Sequence, residues 1–491
     1  MTTRRACPPA PGPLEGYAAG FDEVFATLAQ RRGFREYLTG LLLPRERNKT
    51  MTALAGAEPV VGASGAAVQR LQWYMSESTW DAERVNARRL ALAAADPVTR
   101  SHPGGVLVID DSGDRKDGHA TAHVARQYLG SVGKTDNGIV AVSTLWADER
   151  VYYPLHVVPY TPAGRLPGGK DDPGFATKPE LAVDLVERAV RAGVRFAAVV
   201  ADCFYGPSET ATVVTALGRA GLLYVLALKP QMKIWARAGA AHSPVEAARE
   251  VGWRSRRRPG GWRPVTRQFR DGHTEIWWAA DARLGGWGPD RPVRLVVATT
   301  DPATLPERST WYLVTNRPLP DQTGQTGYEP GGDEPAGLAA ADLTEVVRCY
   351  GLRNRVEQGY KQVKQELGWA DFQVRSDTAI RRHYILVCCA FSFCWQAWLT
   401  DPPPTADTDP NPVDHPAGRR PKRTAGKPTS DRQLSIPRWP VALRRIRSWL
   451  TPATLVYRYW QAWTNAPPPP QLQALLDAAT AGHPIPAYHP P

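Results

Sequence analysis

The sequence predicts an α/β protein built around a mixed β-sheet. Between residues 104 and 230 the chain carries five apolar runs of strand length, and helical patterns separate the last three of these runs. The predicted strands are 106–110, 138–146, 151–160, 196–202 and 222–230, and the predicted helices are 178–193 and 208–221. Strands joined by short loops pair antiparallel, whereas strands separated by helices form parallel crossover units, so the sheet is expected to contain both arrangements.

The strand order also predicts a particular core. The second and third runs are joined by the four residues 147–150, which is short enough for a hairpin. Three antiparallel strands that lead into two crossover units match the ribonuclease H-like fold. We therefore expect residues 104–230 and the helices of 346–400 to form a ribonuclease H-like catalytic core.

A helical, basic region precedes this core. Phe21, Phe25, Leu28 and Leu38 have helical spacing, and Ser78 with Asp81 is typical of a capping box before a further helix. The basic residues that cluster here are Arg31, Arg32, Arg35, Arg45, Arg47 and Lys49. We predict a DNA-binding domain over 1–103, with a solvated charged face as the alternative interpretation.

Two further segments interrupt or follow the core. Residues 231–345 are rich in tryptophan and short alternating stretches, which predicts a β-rich insertion. Residues 401–491 are rich in proline and basic residues, which predicts a largely disordered tail.

Composition narrows the class of protein. The 491 residues include 60 Lys plus Arg against 48 Asp plus Glu, and the net charge of +12 favours an acidic partner such as nucleic acid or an anionic surface. No segment is typical of a signal peptide or a membrane span. The six cysteines have no paired CxxC spacing, which argues against a zinc ribbon and fits a reducing cytoplasm. The chain has no GxxxxGK[ST] loop for nucleotide phosphates.

Acidic residues stand at the ends of two predicted strands. Asp110 and Asp111 end the first strand, and Asp202 ends the strand 196–202. Ligands gather beyond the carboxyl ends of strands where the connection order switches, so these carboxylates should approach one another. Carboxylates at close range repel unless a cation lies between them, which predicts a metal site.

A helix after the insertion can supply a third acid. At roughly 100° per residue, Tyr350, Arg353, Glu357 and Lys364 share one stripe of this helix, and an apolar face lies elsewhere on it. Each observation has a plainer reading, since a lone Asp is commonly a turn former and a polar stripe is commonly a solvated face. The agreement of strand order, strand-terminal acids and a downstream helical acid favours one shared site.

The spacing from Tyr350 to Lys364 resembles the tyrosine-arginine-glutamate-lysine signature of DDE transposases from bacterial insertion sequences. Other stretches are similar to the insertion sequence 701 group of this family, namely VIDDSGDRKDG, VARQYLGSVGKTDN, VVADCFYG, WYLVTNRPLP and KQELGWADFQVRS. The resemblance covers about residues 20–400. Gly351 and Asn354 lie inside the signature, where residues that favour a helix would be expected.

The resemblance implies a catalytic triad. Asp111, Asp202 and Glu357 would be catalytic and would ligate two Mg²⁺ ions, which Mn²⁺ can replace. Asp111 is preferred to Asp110 because the family's acid commonly precedes a small hydroxyl residue, here Ser112.

The resemblance also implies partners and a reaction. Tyr350, Arg353 and Lys364, with Arg126 and Lys134, would contact double-stranded DNA at the element ends and the target. The protein would act as a homodimer on DNA, in the bacterial cytoplasm and associated with the nucleoid. It would cleave the ends and transfer them to target DNA, and a flipped base could stack on a tryptophan of the insertion.

Two other functions keep the same fold. A transposase-derived regulatory protein would bind DNA without cutting it, and a ribonuclease H-like nuclease would cut without joining. A strand-transfer assay separates all three.

Overall fold

A computed structural model describes most of the chain. The residues described are 6–206, 212–232, 234–235, 241–269, 273–282, 294–318, 336–400, 438–464 and 467–480.

In the described part of the chain, ten strands form one mixed sheet and two strands of two residues pair separately. The strands are β1 (Val106–Arg115), β2 (Ala125–Leu129), β3 (Lys134–Ala147), β4 (Tyr152–Pro159), β5 (Ala198–Ala201), β6 (Tyr224–Ala227), β7 (Ile234–Trp235), β8 (Ala241–His242), β9 (Arg263–Gln268), β10 (Thr274–Asp281), β11 (Arg294–Thr299) and β12 (Thr310–Thr315). The sheet order is β2-β3-β1-β5-β6-β12-β11-β10-β9, and β4 pairs with β3.

The helices flank this sheet. They are α1 (Pro13–Ala19), α2 (Leu28–Leu42), α3 (Met51–Ala55), α4 (Ala66–Ser76), α5 (Ala82–Ala95), α6 (Lys178–Arg191), α7 (Thr212–Arg219), α8 (Pro244–Glu250), α9 (Ala336–Gly351), α10 (Asn354–Glu366), α11 (Asp377–Thr400), α12 (Trp439–Trp463) and α13 (Pro470–Thr480). No helix in the described part is long and apolar enough to cross a bilayer.

The central strands follow the predicted order. β1 pairs antiparallel with β3 and parallel with β5, and β5 pairs parallel with β6. The residues of β5 are all buried, as expected for a strand covered on both faces. This mixed sheet with flanking helices fits the predicted ribonuclease H-like core.

The structure differs from the sequence prediction at the end of β1. Asp110 and Asp111 do not end this strand, because β1 stays paired with β3 as far as Arg115. Its pairing with β5 stops at Val108. The two aspartates therefore lie where the sheet narrows, with one neighbouring strand still present and the other ending.

Strands from the predicted insertion extend the core sheet. β12 pairs antiparallel with β6, and β11, β10 and β9 follow in order. Within 231–345 the described residues include six strands, and four of them continue the core sheet because the edge of β6 offers backbone hydrogen-bonding groups.

The amino-terminal helices pack against α11, whose three cysteines are buried. The predicted capping box is only half present. Asp81 caps α5 by accepting from the Glu83 backbone, whereas the Ser78 hydroxyl accepts from Gln30 Nε2 at 3.1 Å.

Part of the predicted disordered tail is helical. In α12, Trp439 is fully buried and its ring stacks on Phe391 with centroids 4.7 Å apart. Arg447 of the same helix pairs with Glu366 at 2.6 Å. Residues 401–437 and 481–491 of the predicted tail lie outside the described residues.

Candidate active site

Asp110 and Asp202 lie side by side on neighbouring strands. Val108 of β1 pairs with Val200 of β5, so the residues two positions further along, Asp110 and Asp202, are level with each other. Alternate residues of a strand point to the same face, which puts both side chains on one side of the sheet. Arg353 Nη2 lies 3.7 Å from Asp110 Oδ2 and 3.8 Å from Asp202 Oδ2.

Glu357 completes this group from α10. Its Oε1 atom is 3.1 Å from Nη1 of Arg353, and its side chain is 58% exposed. Three carboxylates from three separate segments thus surround one guanidinium. Among the described residues, no group of three or more His, Cys, Asp or Glu side chains already forms a metal cage.

The chain places Arg353 at a break between two helices. The sequence predicts one helix through the signature, but α9 ends at Gly351 and α10 begins at Asn354. Backbone N–H groups of Arg353, Arg355 and Val356 bond three residues back, which tightens the turn and keeps Arg353 and Glu357 on adjacent positions of one face. Gly351 and Asn354, which are weak helix formers, are the features that could have predicted the break.

Burial and charge act together on Asp110. Burial raises the pKa of Asp110 to about 7, Arg353 acts in the opposite direction, and the nearby Asp202 adds to the rise. For Arg353, burial disfavours the charge, but Asp110, Asp202 and Glu357 are among the groups that raise its pKa. A buried carboxylate beside a second carboxylate is a site that favours a cation.

Asp111 lies in different surroundings from Asp110. Its Oδ2 accepts from Lys178 Nζ at 2.9 Å and from the Tyr205 hydroxyl at 3.4 Å. Lys178 begins α6, and alternation along β1 turns Asp111 away from Asp110 and Arg353. Of the three acids predicted from the family signature, the structure brings together Asp202 and Glu357 and leaves Asp111 with Lys178.

Lys364 is held by β1. Its Nζ is 2.6 Å from Oδ1 of the buried Asp114 and 3.1 Å from the carbonyl oxygen of Gly113. Burial raises the pKa of Asp114, and Lys364 acts against that rise. Sequence reasoning missed Asp114, although it stands four residues after Asp110 in β1 and so points to the same face.

Tyr360 forms a second link between α10 and the sheet. Its hydroxyl is 2.6 Å from Ser143 Oγ of β3 and donates to the Asp110 carbonyl oxygen at 3.3 Å. With Lys364 it fixes two turns of α10 on β1 and β3. The spacing of Glu357, Tyr360 and Lys364 along one helical face is the pattern that could have suggested this role.

Aromatic residues of the insertion border the site. The Trp311 ring meets the Tyr350 ring edge-on with centroids 4.9 Å apart, and Trp277 lies 4.7 Å from Trp311. The Arg267 guanidinium covers Trp277 and Trp311 at 4.5 and 4.3 Å from their centroids. Burial raises the pKa of Tyr350 to about 12.

Arg126 and Lys134 lie on the β2–β3 hairpin, and both are exposed. Lys134 Nζ is 3.7 Å from Asp136 Oδ2. Ion pairs between exposed side chains are weak, so this contact leaves Lys134 available for another anion.

The basic residues of the amino-terminal region mostly serve internal contacts. Arg35 is 3% exposed and pairs with both Glu15 and Asp22 at 2.7 Å. Lys49 is equally buried and donates to three carbonyl oxygens near the end of α2. Arg31 is also buried, Arg32 pairs with Glu36, and Arg45 pairs with Asp371. Of the six residues in the predicted cluster, Arg47 is exposed and carries no carboxylate partner among the described residues.

Comparison with known proteins identifies the family of this chain. A family model described as "DDE superfamily endonuclease" matches residues 21–279, a span that includes Asp110, Asp111 and Asp202. The chain is also 30% identical over 363 residues to a protein of Microchaete diplosiphon named "Probable transposase for insertion sequence element IS701". That similarity covers 74% of this chain and 81% of the relative. The chain therefore belongs to the DDE superfamily, within the transposase group of insertion sequence IS701.

Proposed function

We propose that this protein binds the terminal inverted repeats of an insertion sequence, cleaves the DNA there in a metal-dependent reaction, and joins the cleaved ends to target DNA. The observation that carries the proposal is the convergence of Asp110, Asp202 and Glu357 on Arg353. Membership of a DDE endonuclease family supports the reaction class.

We propose Asp110, Asp202 and Glu357 as the acids that hold the divalent ions. The donors are all carboxylate oxygens, which suits Mg²⁺, and the raised pKa of Asp110 marks a position that favours an added cation. When bound, a pair of Mg²⁺ ions supplies an activated water or 3′ hydroxyl and stabilises the leaving oxygen. Asp111, which the family pattern favours, is the alternative to Asp110 as a metal ligand, but its carboxylate forms an ion pair with Lys178.

The chain's own cations would place the DNA. Arg353 has the planar guanidinium that binds a phosphate through two donors, and Tyr350 stands beside it. We propose that Lys364 mainly positions α10, because its ammonium group already contacts the Asp114 carboxylate and the Gly113 carbonyl oxygen. A phosphate contact by Lys364 would require this pair to open.

Exposed residues of the β2–β3 hairpin extend the proposed interface. The start of β3 pairs with the end of β1, so the hairpin projects beyond the level of Asp110. Arg126 and Lys134 on it would hold the backbone of the same duplex. A flipped base, if the reaction forms hairpin ends, would meet Trp311, the tryptophan in contact with Tyr350.

Two copies of the protein would act together, since an element has two ends. The six clustered basic residues of 1–103 are not proposed as a group for end recognition, because Arg31, Arg35 and Lys49 are buried and Arg45 pairs with the buried Asp371.

The test is cleavage of a duplex that carries the element's terminal repeat. Asp202→Ala and Glu357→Ala should each abolish Mg²⁺-dependent cleavage while end binding stays within a few fold of the unmodified protein. Cleavage that persists in either variant excludes that residue as a ligand. Products joined to a target plasmid distinguish a transposase from a nuclease that only cuts, and binding without any cleavage by the unmodified protein indicates a regulatory protein.

A further inference from the structure

An exposed turn of arginines precedes β9. Four of the five residues from Arg254 to Arg258 are arginine, and all five are exposed. In the described part of the chain, none of the four guanidinium groups forms an ion pair with a carboxylate. Within the described residues, four like charges therefore stand side by side without a carboxylate partner, an arrangement that favours an anionic ligand.

This turn, here called the arginine turn (Arg254–Arg258), has a defined backbone. The N–H of Arg254 donates to the carbonyl of Arg258 at 3.2 Å, which closes the loop at its base. Gly260 follows with φ of 65°, and a side chain there would overlap the carbonyl oxygen of Gly252. Trp262 is buried and anchors the segment. The arginines are therefore presented by a folded turn and not by a loose run of charge.

The arginine turn leads into β9, whose first residue lies near the level of the acids. Asp202 follows Ala201, which pairs with Leu226, and the next position of β6 pairs with Leu313 of β12. Two residues beyond that level stands Trp311, which is level with Arg263 through the register of β11, β10 and β9. The segment before the turn contacts the chain just past β6, because Val245 donates its N–H to the carbonyl of Pro230.

The strand order gives the span of the sheet between the acids and β9. β9 is the fifth strand away from β5. At about 4.8 Å per strand, β9 lies about 24 Å from β5 across the sheet. A duplex that is bound at the acids and lies across these strands would cover that span with about 7 base pairs, at about 3.4 Å per base pair.

We propose that the arginine turn clamps the phosphate backbone of duplex DNA away from the cleaved bond, without reading the base sequence. This proposal rests on the proposed function, which places DNA at the acids. The chemistry favours phosphate because guanidinium groups bind it through two donors, and a short turn with four of them can reach successive phosphates.

The experiment measures DNA affinity of the full chain against salt concentration. The test variant is Arg254→Ala/Arg256→Ala/Arg257→Ala/Arg258→Ala, and a second variant places Lys at the same four positions. The charge-matched control replaces four arginines of α6, α7 and the segment before β5 with Ala, at Arg188, Arg191, Arg195 and Arg219. Each protein is titrated with a duplex of the element end and with an unrelated duplex of equal length.

The alanine variant should lose at least about tenfold in affinity for both duplexes near 150 mM salt, and its salt slope should fall by about 2 to 4. The lysine variant should retain most of the slope, and the control variant should match the unmodified protein. An unchanged slope in the alanine variant overturns the clamp, and so does a loss confined to the element-end duplex. If the unmodified protein binds neither duplex, the proposed function itself fails, which is a different result.

Discussion

Asp110 and Asp202 point to the same face of the sheet from adjacent parallel strands, and both lie within 3.8 Å of one guanidinium nitrogen of Arg353. Asp111, one residue further along β1, is paired with Lys178 instead. The pleat of one strand therefore separates two adjacent carboxylates into different chemical surroundings.

This separation predicts unequal effects of replacing the two aspartates. Asp110→Asn should lower Mg²⁺-dependent cleavage of element-end DNA by about a thousandfold or more, because it removes a proposed ligand. Asp111→Asn should stay within about tenfold, because it loses one partly exposed ion pair with Lys178. If both variants lose cleavage activity equally, or if only Asp111→Asn loses it, the result would support Asp111 as a metal ligand. End binding and the unfolding midpoint serve as controls for both variants.

The buried pair of Asp114 and Lys364 predicts a stability effect that depends on both partners. Lys364→Met should destabilise the protein by about 3 kcal/mol, since it leaves the Asp114 carboxyl buried without its cation. Asp114→Asn should also be costly, whereas the double variant should cost clearly less than the sum of the two. Urea unfolding of the four proteins gives the coupling energy.

The same cycle tests the positioning role of Lys364. If Lys364 acts by holding α10, cleavage by the double variant should recover in part relative to Lys364→Met, and DNA affinity should change little. A loss of DNA affinity that is equal in Lys364→Met and in the double variant would instead assign Lys364 to a phosphate.

The proximity of these acids could be predicted from the sequence because it depends on strand order. The runs that end near Asp110 and at Asp202 are neighbours in any ribonuclease H-like sheet, and Glu357 follows at signature spacing. The family resemblance favours Asp111, whereas the proposal of Asp110 depends on the phase of the pleat relative to β5. That phase is set by the pairing of Val108 with Val200, which no local pattern records.

The role of the amino-terminal arginines could not be predicted for a similar reason. A cluster of basic residues is expected on a solvated or DNA-binding surface. Here Arg35 is buried between Glu15 of α1 and Asp22 of the turn that follows α1. Arg45 pairs with Asp371, which is distant in the sequence. Such partners are set by tertiary packing and not by the charge pattern of one segment.

Lys49 predicts a particular dependence of stability on pH. Burial lowers the pKa of its ammonium group to about 7, although its Nζ donates to three carbonyl oxygens. Between about pH 7 and 10 the unfolded chain then binds more protons at this residue than the folded chain does, so this contribution to the free energy of unfolding rises with pH.

The comparison that isolates this contribution uses Lys49→Met. The free energy of unfolding of the unmodified protein minus that of the variant should increase by about 3 kcal/mol between pH 7 and 9.5. Denaturant titrations of both proteins at four pH values supply the difference, and the other titrating groups cancel in it. A difference that stays flat or falls with pH would mean that Lys49 keeps its ordinary pKa in the fold.

Arg35 and Arg47 predict opposite outcomes for two basic residues of the same predicted DNA-binding cluster. Arg35→Ala should destabilise the protein by about 3 to 5 kcal/mol, because it leaves Glu15 and Asp22 without the buried cation that holds them. Arg47→Ala should change stability by less than about 0.5 kcal/mol, because Arg47 is exposed. Unfolding curves measure these effects, and salt-dependent binding to end DNA is measured under conditions where both variants are folded. Under those conditions Arg35→Ala should bind DNA as the unmodified protein does, since its guanidinium cannot reach a phosphate while it is enclosed by two carboxylates. If the folded Arg35→Ala protein shows a reduced salt dependence of DNA binding, this arginine contacts DNA. That result would support the predicted DNA-binding role of the basic cluster.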